Sequence, residues 1–150
     1  MQLSRSLFAA LTAVALLVAS LPSPAQMHRS TSGRCSLRSS TVDSRSVAPS
    51  VAARRGFPRS ADVAIVDVTV SCKGRSGNGT VSAHIDVTKA DLAGTKEPVA
   101  MHEDRQNGYV SYYGTYRHVR GQIVQLAVSA TPRGKSHQMK LTYRHRFVVR

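Results

Sequence analysis

From residue 62 to the carboxyl end, apolar and polar residues alternate in short runs, and this period of two constrains the fold more than any other feature. Side chains on a β-strand point alternately to the two faces of a sheet, so each run has one apolar face. Gly, Asn and Pro residues separate the runs, and no segment shows a sustained helical period of 3.6. The clearest runs occupy residues 62–72, 80–89, 109–118, 122–130 and 138–150.

These runs predict an all-β chain that folds as an antiparallel, immunoglobulin-like β-sandwich of about six to eight strands. Runs 62–72 and 80–89 are joined by a turn rich in Gly, which is typical of a β-hairpin. Weaker candidate strands lie at residues 35–37, 47–53 and 98–103.

The amino-terminal residues are typical of a secretory signal peptide. Residues 1–6 carry one positive charge at Arg5, an apolar run follows at 7–18, and residues 20–25 end in small side chains. The apolar run is too short for a transmembrane helix, which needs about 20 apolar residues. We therefore expect cleavage after Ala25 and a bacterial protein that is secreted, periplasmic or displayed at the cell surface.

Two further segments show no regular pattern. Residues 26–34 are polar and aperiodic, so we expect a flexible arm there. Residues 54–58 contain Gly56 and Pro58 and predict a loop. The folded sandwich domain is accordingly expected over residues 35–150, which is an ordinary size for one domain.

The chain contains two cysteines, Cys35 and Cys72. An isolated pair in an exported protein most simply forms a disulfide, because the compartments outside the cytoplasm are oxidising. Their number and separation exclude a redox Cys-x-x-Cys pair and a cysteine-based zinc site. We predict a Cys35–Cys72 disulfide.

Charge is distributed unevenly along the chain. The sequence carries 21 Lys and Arg residues against 8 Asp and Glu, a formal net charge of +13. Residues 105–150 contain no Asp or Glu and hold all 5 tyrosines. Such a surface attracts polyanions, among which lipopolysaccharide, acidic glycans and nucleic acid occur outside cells. Along 138–150 the basic residues alternate with the apolar ones, which predicts a cationic stripe on one strand face.

The candidate polyanion-binding residues are Arg117, Arg120, Lys140, Arg144, Arg146 and Arg150. Tyr109 and Tyr113 are candidate aromatic contacts, because rings interleaved with arginine can stack on bases or sugars. The alternative is a solvated strand face with the tyrosines packed in the core and at its edges. No known nucleic-acid-binding motif is present, and phosphate contacts alone carry no sequence specificity.

The sequence contains no recognisable catalytic motif. A nucleophile elbow, an HExxH motif and a phosphate-binding loop are all lacking. A secreted nuclease could use His118 or His145 together with Glu103, but polar surface residues at turns explain these positions better. We predict no catalytic residue and no cofactor.

One metal site is conceivable at the expected mature terminus. There Gln26, Met27 and His28 offer an amine, two amides and an imidazole, a nitrogen set that suits square-planar Cu(II). A chance histidine in a flexible arm is the simpler interpretation, so we predict no metal. A lysozyme inhibitor is disfavoured because two cationic proteins repel each other on encounter.

The order of these features resembles the pilin and spore-coat-U type of secreted bacterial β-sandwich. A cysteine on a weak first strand is followed by a second cysteine that closes the alternating strand VAIVDVTVSC at residues 63–72. The resemblance implies that the cysteine pair ties the first strand to the second. Residues 26–34 offer only Met27 in place of the alternating apolar residues of a donated pilin strand.

The sequence therefore favours a non-enzymatic protein that is secreted or displayed at the surface. Its expected role is adhesion or the binding of anionic polymers or cell-surface glycans through a cationic face. Contacts with other surface proteins are left open. The alternatives are a pilin-like structural subunit of a surface fibre and a secreted nuclease.

Overall fold

The structure is a computed structural model that describes residues 26–74 and 79–148. The predicted signal peptide, part of the turn after Cys72, and Arg150 lie outside the described residues. The strands are β1 (His28–Ser32), β2 (Cys35–Asp43), β3 (Val63–Cys72), β4 (Ala83–Ala90), β5 (Lys96–Val99), β6 (His102–Gln106), β7 (Tyr109–Arg117), β8 (Ile123–Pro132) and β9 (Met139–Arg146). A short 3₁₀ helix (Ser44–Ser46) and one α-helix, α1 (Pro49–Arg55), follow β2.

Two antiparallel sheets pack face to face. One has the strand order β1-β2-β3-β7-β6 and the other has the order β5-β4-β8-β9. Their inner faces form the main core, to which β3 contributes its alternating valines and β8 contributes Val124, Leu126 and Val128. The predicted antiparallel β-sandwich is confirmed, with nine strands among the described residues.

The predicted disulfide between Cys35 and Cys72 is also confirmed. The two cysteines lie opposite each other on β2 and β3, and their Cα atoms are 4.0 Å apart. From this pair the two strands stay in register as far as Asp43 and Ala64. The disulfide therefore closes one end of a ladder at the centre of its sheet.

The predicted hairpin between residues 62–72 and 80–89 is wrong. β3 and β4 belong to different sheets, and it is the segment before β4 that pairs with the end of β3, through a bridge between Ser71 and Thr80. After this bridge the chain crosses from one sheet to the other. Both strands bury one face in the same core, so their alternation is the same for a hairpin and for a crossing between layers.

The segment after β2 is helical, where the sequence predicted a weak strand at 47–53 and a loop at 54–58. α1 begins at Pro49, which suits the first turn of a helix, and is capped by Gly56 in the left-handed conformation, with φ of 72°. The helix has 7 residues and one buried position, which is too short for a helical period to stand out in the sequence. Within the described ranges, no helix is long and apolar enough to cross a membrane.

Residues 26–34, expected as a flexible arm, contain a strand. β1 pairs antiparallel with β2, from His28 opposite Ser39 to Ser32 opposite Cys35. The His28 ring also stacks on the Tyr143 ring of β9, with ring centroids 4.0 Å apart. Tyr143 is distant in sequence, and the polar residues of β1 lack the alternating apolar positions that would indicate a strand.

The two sheets approach each other at both sides of the sandwich. On one side β1 and β2 lie against β9, and on the other side β5 lies against β7. The backbones of β1 and β9 therefore approach each other along one side of the molecule, while the outer faces of their two sheets point away from each other.

Candidate functional site

A buried hydroxyl cluster holds β9 to the opposite sheet. The Tyr143 phenol oxygen lies 2.9 Å from Ser39 Oγ and 2.9 Å from Thr41 Oγ1, both on β2. Burial raises the pKa of Tyr143, so the group stays a neutral phenol that can donate one hydrogen bond and accept the other. Because its inner face is fixed in this way, β9 presents its outer face in one orientation.

The outer face of β9 carries three exposed cations, Lys140, Arg144 and Arg146. Alternate residues of a strand lie about 7 Å apart, so Arg144 and Arg146 are neighbours and Lys140 lies about 13 Å beyond Arg144. Their partners on β8 are uncharged and are, in the same order, Ser129, Gln125 and Ile123. Three of the predicted polyanion-binding residues thus share one strand face.

Two arginines that the sequence analysis did not single out lie on the neighbouring strands of the other sheet. Arg29 on β1 and Arg38 on β2 are exposed and lie opposite each other in the β1–β2 ladder. Because β1 packs beside β9, these two arginines lie near the same side of the sandwich as β9, but on the outer face of the other sheet. The interpretation of residues 26–34 as an arm concealed Arg29, and Arg38 follows the predicted weak strand at 35–37 directly. We call the five residues on these two faces the cationic edge: Arg29, Arg38, Lys140, Arg144 and Arg146.

The cationic edge has no compensating carboxylate in the described part of the chain. None of its five cations forms an ion pair there. β1, β8 and β9 contain no Asp or Glu. All 8 acidic residues of the chain lie on or beside β2 to β6: Asp43, Asp62, Asp67, Asp86, Asp91, Glu97, Glu103 and Asp104. The charge imbalance of the sequence therefore becomes a separation of charge in space.

Arg117, a predicted polyanion-binding residue, is engaged elsewhere. Its guanidinium forms an ion pair with Asp62 at the start of β3. The pKa of Asp62 is lowered, mainly by the hydrogen bond from the Ser60 hydroxyl and also by Arg117. Arg117 is thus paired with a carboxylate, and the structure does not place it on the cationic edge.

Arg120 lies at one end of the cationic edge. It is exposed in the turn between β7 and β8, and this turn is tied to the chain after β9 because the Gly121 amide donates to the Phe147 carbonyl at 2.9 Å. This connection brings Arg120 near Arg146. Arg150, the last predicted residue of the stripe, lies outside the described residues.

The two candidate aromatic contacts lie away from the cationic edge. The Tyr113 hydroxyl donates to the Arg55 carbonyl at 3.0 Å, and the Arg55 guanidinium carbon lies 4.7 Å from the centre of the Tyr113 ring. Tyr109 begins β7 beside β6, at the side of the sheet opposite β1. A ligand on the outer face of β9 therefore contacts neither ring.

Arg55 also fastens α1 to the outer face of its sheet. Its guanidinium pairs with Asp67 and with Asp104, each at 2.9 Å, and Arg54 adds a contact to Asp104 at 2.8 Å. The pKa of Asp104 is lowered by its hydrogen bonds from Arg54 and Arg55, whereas burial raises the pKa of Asp67. These charges satisfy one another, so this cluster is structural.

The residues considered for a nuclease are not brought together. Glu103 accepts a hydrogen bond from the Tyr112 hydroxyl at 2.9 Å. His118 and His145 lie beyond the far end of β7, around Phe147, with ring centroids 3.4 Å and 4.6 Å from that of Phe147. The described residues therefore contain no histidine–Glu103 pair for acid–base chemistry.

A family model described as a domain of unknown function, DUF4426, matches residues 29–149. The chain belongs to the DUF4426 family. No curated protein sequence matches it. The match covers every strand of the structure except the first residue of β1.

Several solved structures share this DUF4426 fold. A DUF4426 family protein from Pseudomonas aeruginosa PAO1 superimposes with a TM-score of 0.70 at 16% identity, over 81% of this chain and 94% of that protein. FetP from uropathogenic Escherichia coli strain F11, expressed in the periplasm, gives a TM-score of 0.56 at 11% identity, over 82% and 95%. A copper-bound variant of FetP gives 0.56 at 10% identity, over 80% and 93%. At these identities the similarity establishes the fold alone.

Residues 26–74 and 79–148 of this DUF4426 chain contain no group of three His, Cys, Asp or Glu side chains placed to hold a metal ion. His28, the candidate Cu(II) ligand, lies within β1 with its ring on Tyr143. Its ring is therefore already engaged in packing between the sheets.

Proposed function

We propose that this DUF4426 chain is an exported, non-enzymatic protein that binds anionic polymers through the cationic edge. The observation that carries the proposal is the row of three unpaired cations on the outer face of β9, with two more on the outer face of the sheet against which β9 packs. Placing like charges side by side costs stability, and the fold gains nothing from it. A ligand with repeated anionic groups offsets this repulsion and releases counterions when it binds.

The shape of the surface favours a polymer over a small ligand. From Lys140 to Arg146 the cationic edge runs about 20 Å along one strand. A strand face is flat, so it offers contacts to a series of charges rather than enclosure of one molecule. Arg29 and Arg38 add two cations beyond the side of the sandwich, on the outer face of the other sheet.

The position of the tyrosines bears on the kind of polymer. Binding to single-stranded nucleic acid usually combines cations with aromatic rings on which bases stack. Tyr109 and Tyr113 both lie away from the cationic edge. Lipopolysaccharide and acidic glycans, which need no stacking, are therefore favoured over nucleic acid. The expected signal peptide, together with the periplasmic expression of FetP, supports a location in the bacterial envelope.

Salt-dependent binding to immobilised heparin and to lipopolysaccharide vesicles tests the proposal. We expect Arg144→Gln combined with Arg146→Gln to elute from heparin at lower salt, and to reduce the slope of log K against log salt by about two. The matched control combines Arg59→Gln with Lys96→Gln, which removes the same charge from exposed positions outside the cationic edge. Equal effects of both variants would show that binding depends on net charge and not on the cationic edge. Failure of the unaltered protein to bind heparin at low salt would also reject the proposal.

Copper binding is the function suggested by the copper-bound FetP variant. It is not favoured for this chain, because no group of potential ligands is assembled in the described residues and His28 is packed against Tyr143.

A further inference from the structure

A surface cavity of about 210 Å³ lies at the end of the sandwich where the β1–β2 turn meets the β8–β9 turn. Its basic and imidazole side chains are Arg34, Lys135 and His137, and its apolar wall includes Cys35, Pro132 and Met139. No carboxylate is among the described residues that line it. The cavity is therefore both concave and cationic, a combination that the flat cationic edge lacks.

The two turns that form the cavity are held firmly. Gly33, with φ of 56°, begins the two-residue turn that places Arg34 between β1 and β2. The Arg34 carbonyl accepts a hydrogen bond from the Lys73 amide at 2.8 Å, beside the disulfide. On the other side the Lys135 amide donates to the Pro132 carbonyl at 3.0 Å. The cavity is thus built from backbone that is already fixed.

We propose that this cavity binds a phosphate monoester group. Such a group carries about −1.5 to −2 charges near neutral pH and three strong acceptor oxygens. A guanidinium, an ammonium and an imidazole supply three donors around one space, whereas a carboxylate offers two oxygens and a single charge. Complete drug-sized ligands occupy pockets of about 300 Å³ or more, so a space of this size suits a terminal or pendant group of a larger molecule.

The cavity also continues the cationic edge. Met139 forms part of its wall, and Lys140, the first cation on the outer face of β9, is the next residue. A phosphorylated polymer lying along β9 would therefore place one phosphate group in the cavity. In this respect the inference rests on the proposed function, although the cavity can be tested without a polymer.

A second surface cavity, of about 350 Å³, does not suit an anion. Asp62, Asp91 and Glu97 contribute to its lining. Its cations are engaged, since Arg117 pairs with Asp62 and Lys89 pairs with Glu97. The smaller cavity is thus the better anion site.

Titration with glucose 1-phosphate, followed by amide NMR shifts, tests the cavity directly. We expect saturable shifts at residues 32–35 and 135–139, and much weaker binding of glucuronate, which carries a carboxylate on a similar sugar. Lys135→Gln combined with His137→Gln should weaken glucose 1-phosphate binding on the order of tenfold or more. The Arg144→Gln, Arg146→Gln variant is the matched control and should keep this affinity.

The outcomes separate the two proposals. If the cavity variant loses glucose 1-phosphate while the β9 variant loses heparin, both proposals hold. The cavity proposal is wrong if glucose 1-phosphate gives no saturable shift, if it binds no better than glucuronate, or if the cavity variant binds it as well as the unaltered protein. In each of these cases, binding of heparin to the cationic edge would leave the proposed function standing. If glucose 1-phosphate binds as expected but the protein is not retained on heparin or lipopolysaccharide, the proposed function is wrong and the cavity proposal stands.

Discussion

The Tyr143 phenol oxygen of β9 lies 2.9 Å from Thr41 Oγ1 of β2, in the interior between the two sheets. Ser39 Oγ lies at the same distance from the phenol, so one tyrosine satisfies two buried hydroxyl groups. The strand that presents the outer cations is thus attached to the opposite sheet by polar contacts as well as by apolar packing.

Tyr143→Phe should therefore destabilise the protein. The substitution keeps the ring but leaves the Ser39 and Thr41 hydroxyls without their partner, at a cost of about 1–3 kcal/mol. Urea unfolding measures this loss, and Tyr109→Phe at an exposed ring is the control, with an expected change below about 0.5 kcal/mol. Equal stability of Tyr143→Phe and the unaltered protein would show that the hydroxyl cluster contributes nothing.

Reduction of the Cys35–Cys72 disulfide should lower stability by about 2–5 kcal/mol. Both cysteines of the chain are in this bond, so a reductant has one target. Thermal unfolding with and without reductant measures the effect. The Cys35→Ser, Cys72→Ser variant should match the reduced protein and show no response to the reductant, and an unchanged melting temperature on reduction would contradict the prediction.

Gly114→Ala should be strongly destabilising, because β7 passes close to the chain between β5 and β6. A Cβ atom at this position would lie 2.6 Å from the Ala100 carbonyl oxygen and 2.8 Å from Val99 Cγ1. Relief of this overlap requires backbone movement, with a cost of about 1–3 kcal/mol or more. Thr115→Ala, at the exposed neighbouring position, is the control for urea unfolding. A Gly114→Ala variant as stable as this control would show that the strands can separate at no cost.

Stability should decrease as the pH falls below about 6.5, partly because of His145. Burial, assisted by His118 and His28, lowers the pKa of His145 in the folded protein. The unfolded chain, in which a histidine has a pKa of about 6.5, then binds more protons, so acid favours unfolding.

Urea unfolding at about pH 7.5 and about pH 5 measures this dependence on pH. His145→Gln should reduce the difference in free energy between the two conditions. Identical pH profiles for His145→Gln and the unaltered protein would rule out a contribution from His145.

Much of the buried face of each strand could be predicted from the sequence. Val66, Val68 and Val70 alternate with polar residues and are fully buried, as are most of the inward positions of β8. The three cations of β9 were also predicted to share the outer face, because the period of a strand fixes which side chains point together. The cysteine pair followed from composition and from the expected export.

The pairing of strands could not be predicted in the same way. Alternation shows that Val70 and Val87 are both buried, yet it does not show that their strands lie in different sheets. The ion pair between Arg117 and Asp62 and the contact of Arg55 with the Tyr113 ring likewise depend on distant segments. So does the position of Arg29 beside β9.

By itself, the sequence determined that the chain forms a disulfide-linked β-sandwich with an excess of positive charge toward its carboxyl end. Only the tertiary structure decided which of those charges remain unpaired and adjoin one another. The reason is physical: the period of a strand is a local property of consecutive residues, whereas ion pairing and strand order depend on which remote segments the core brings into contact.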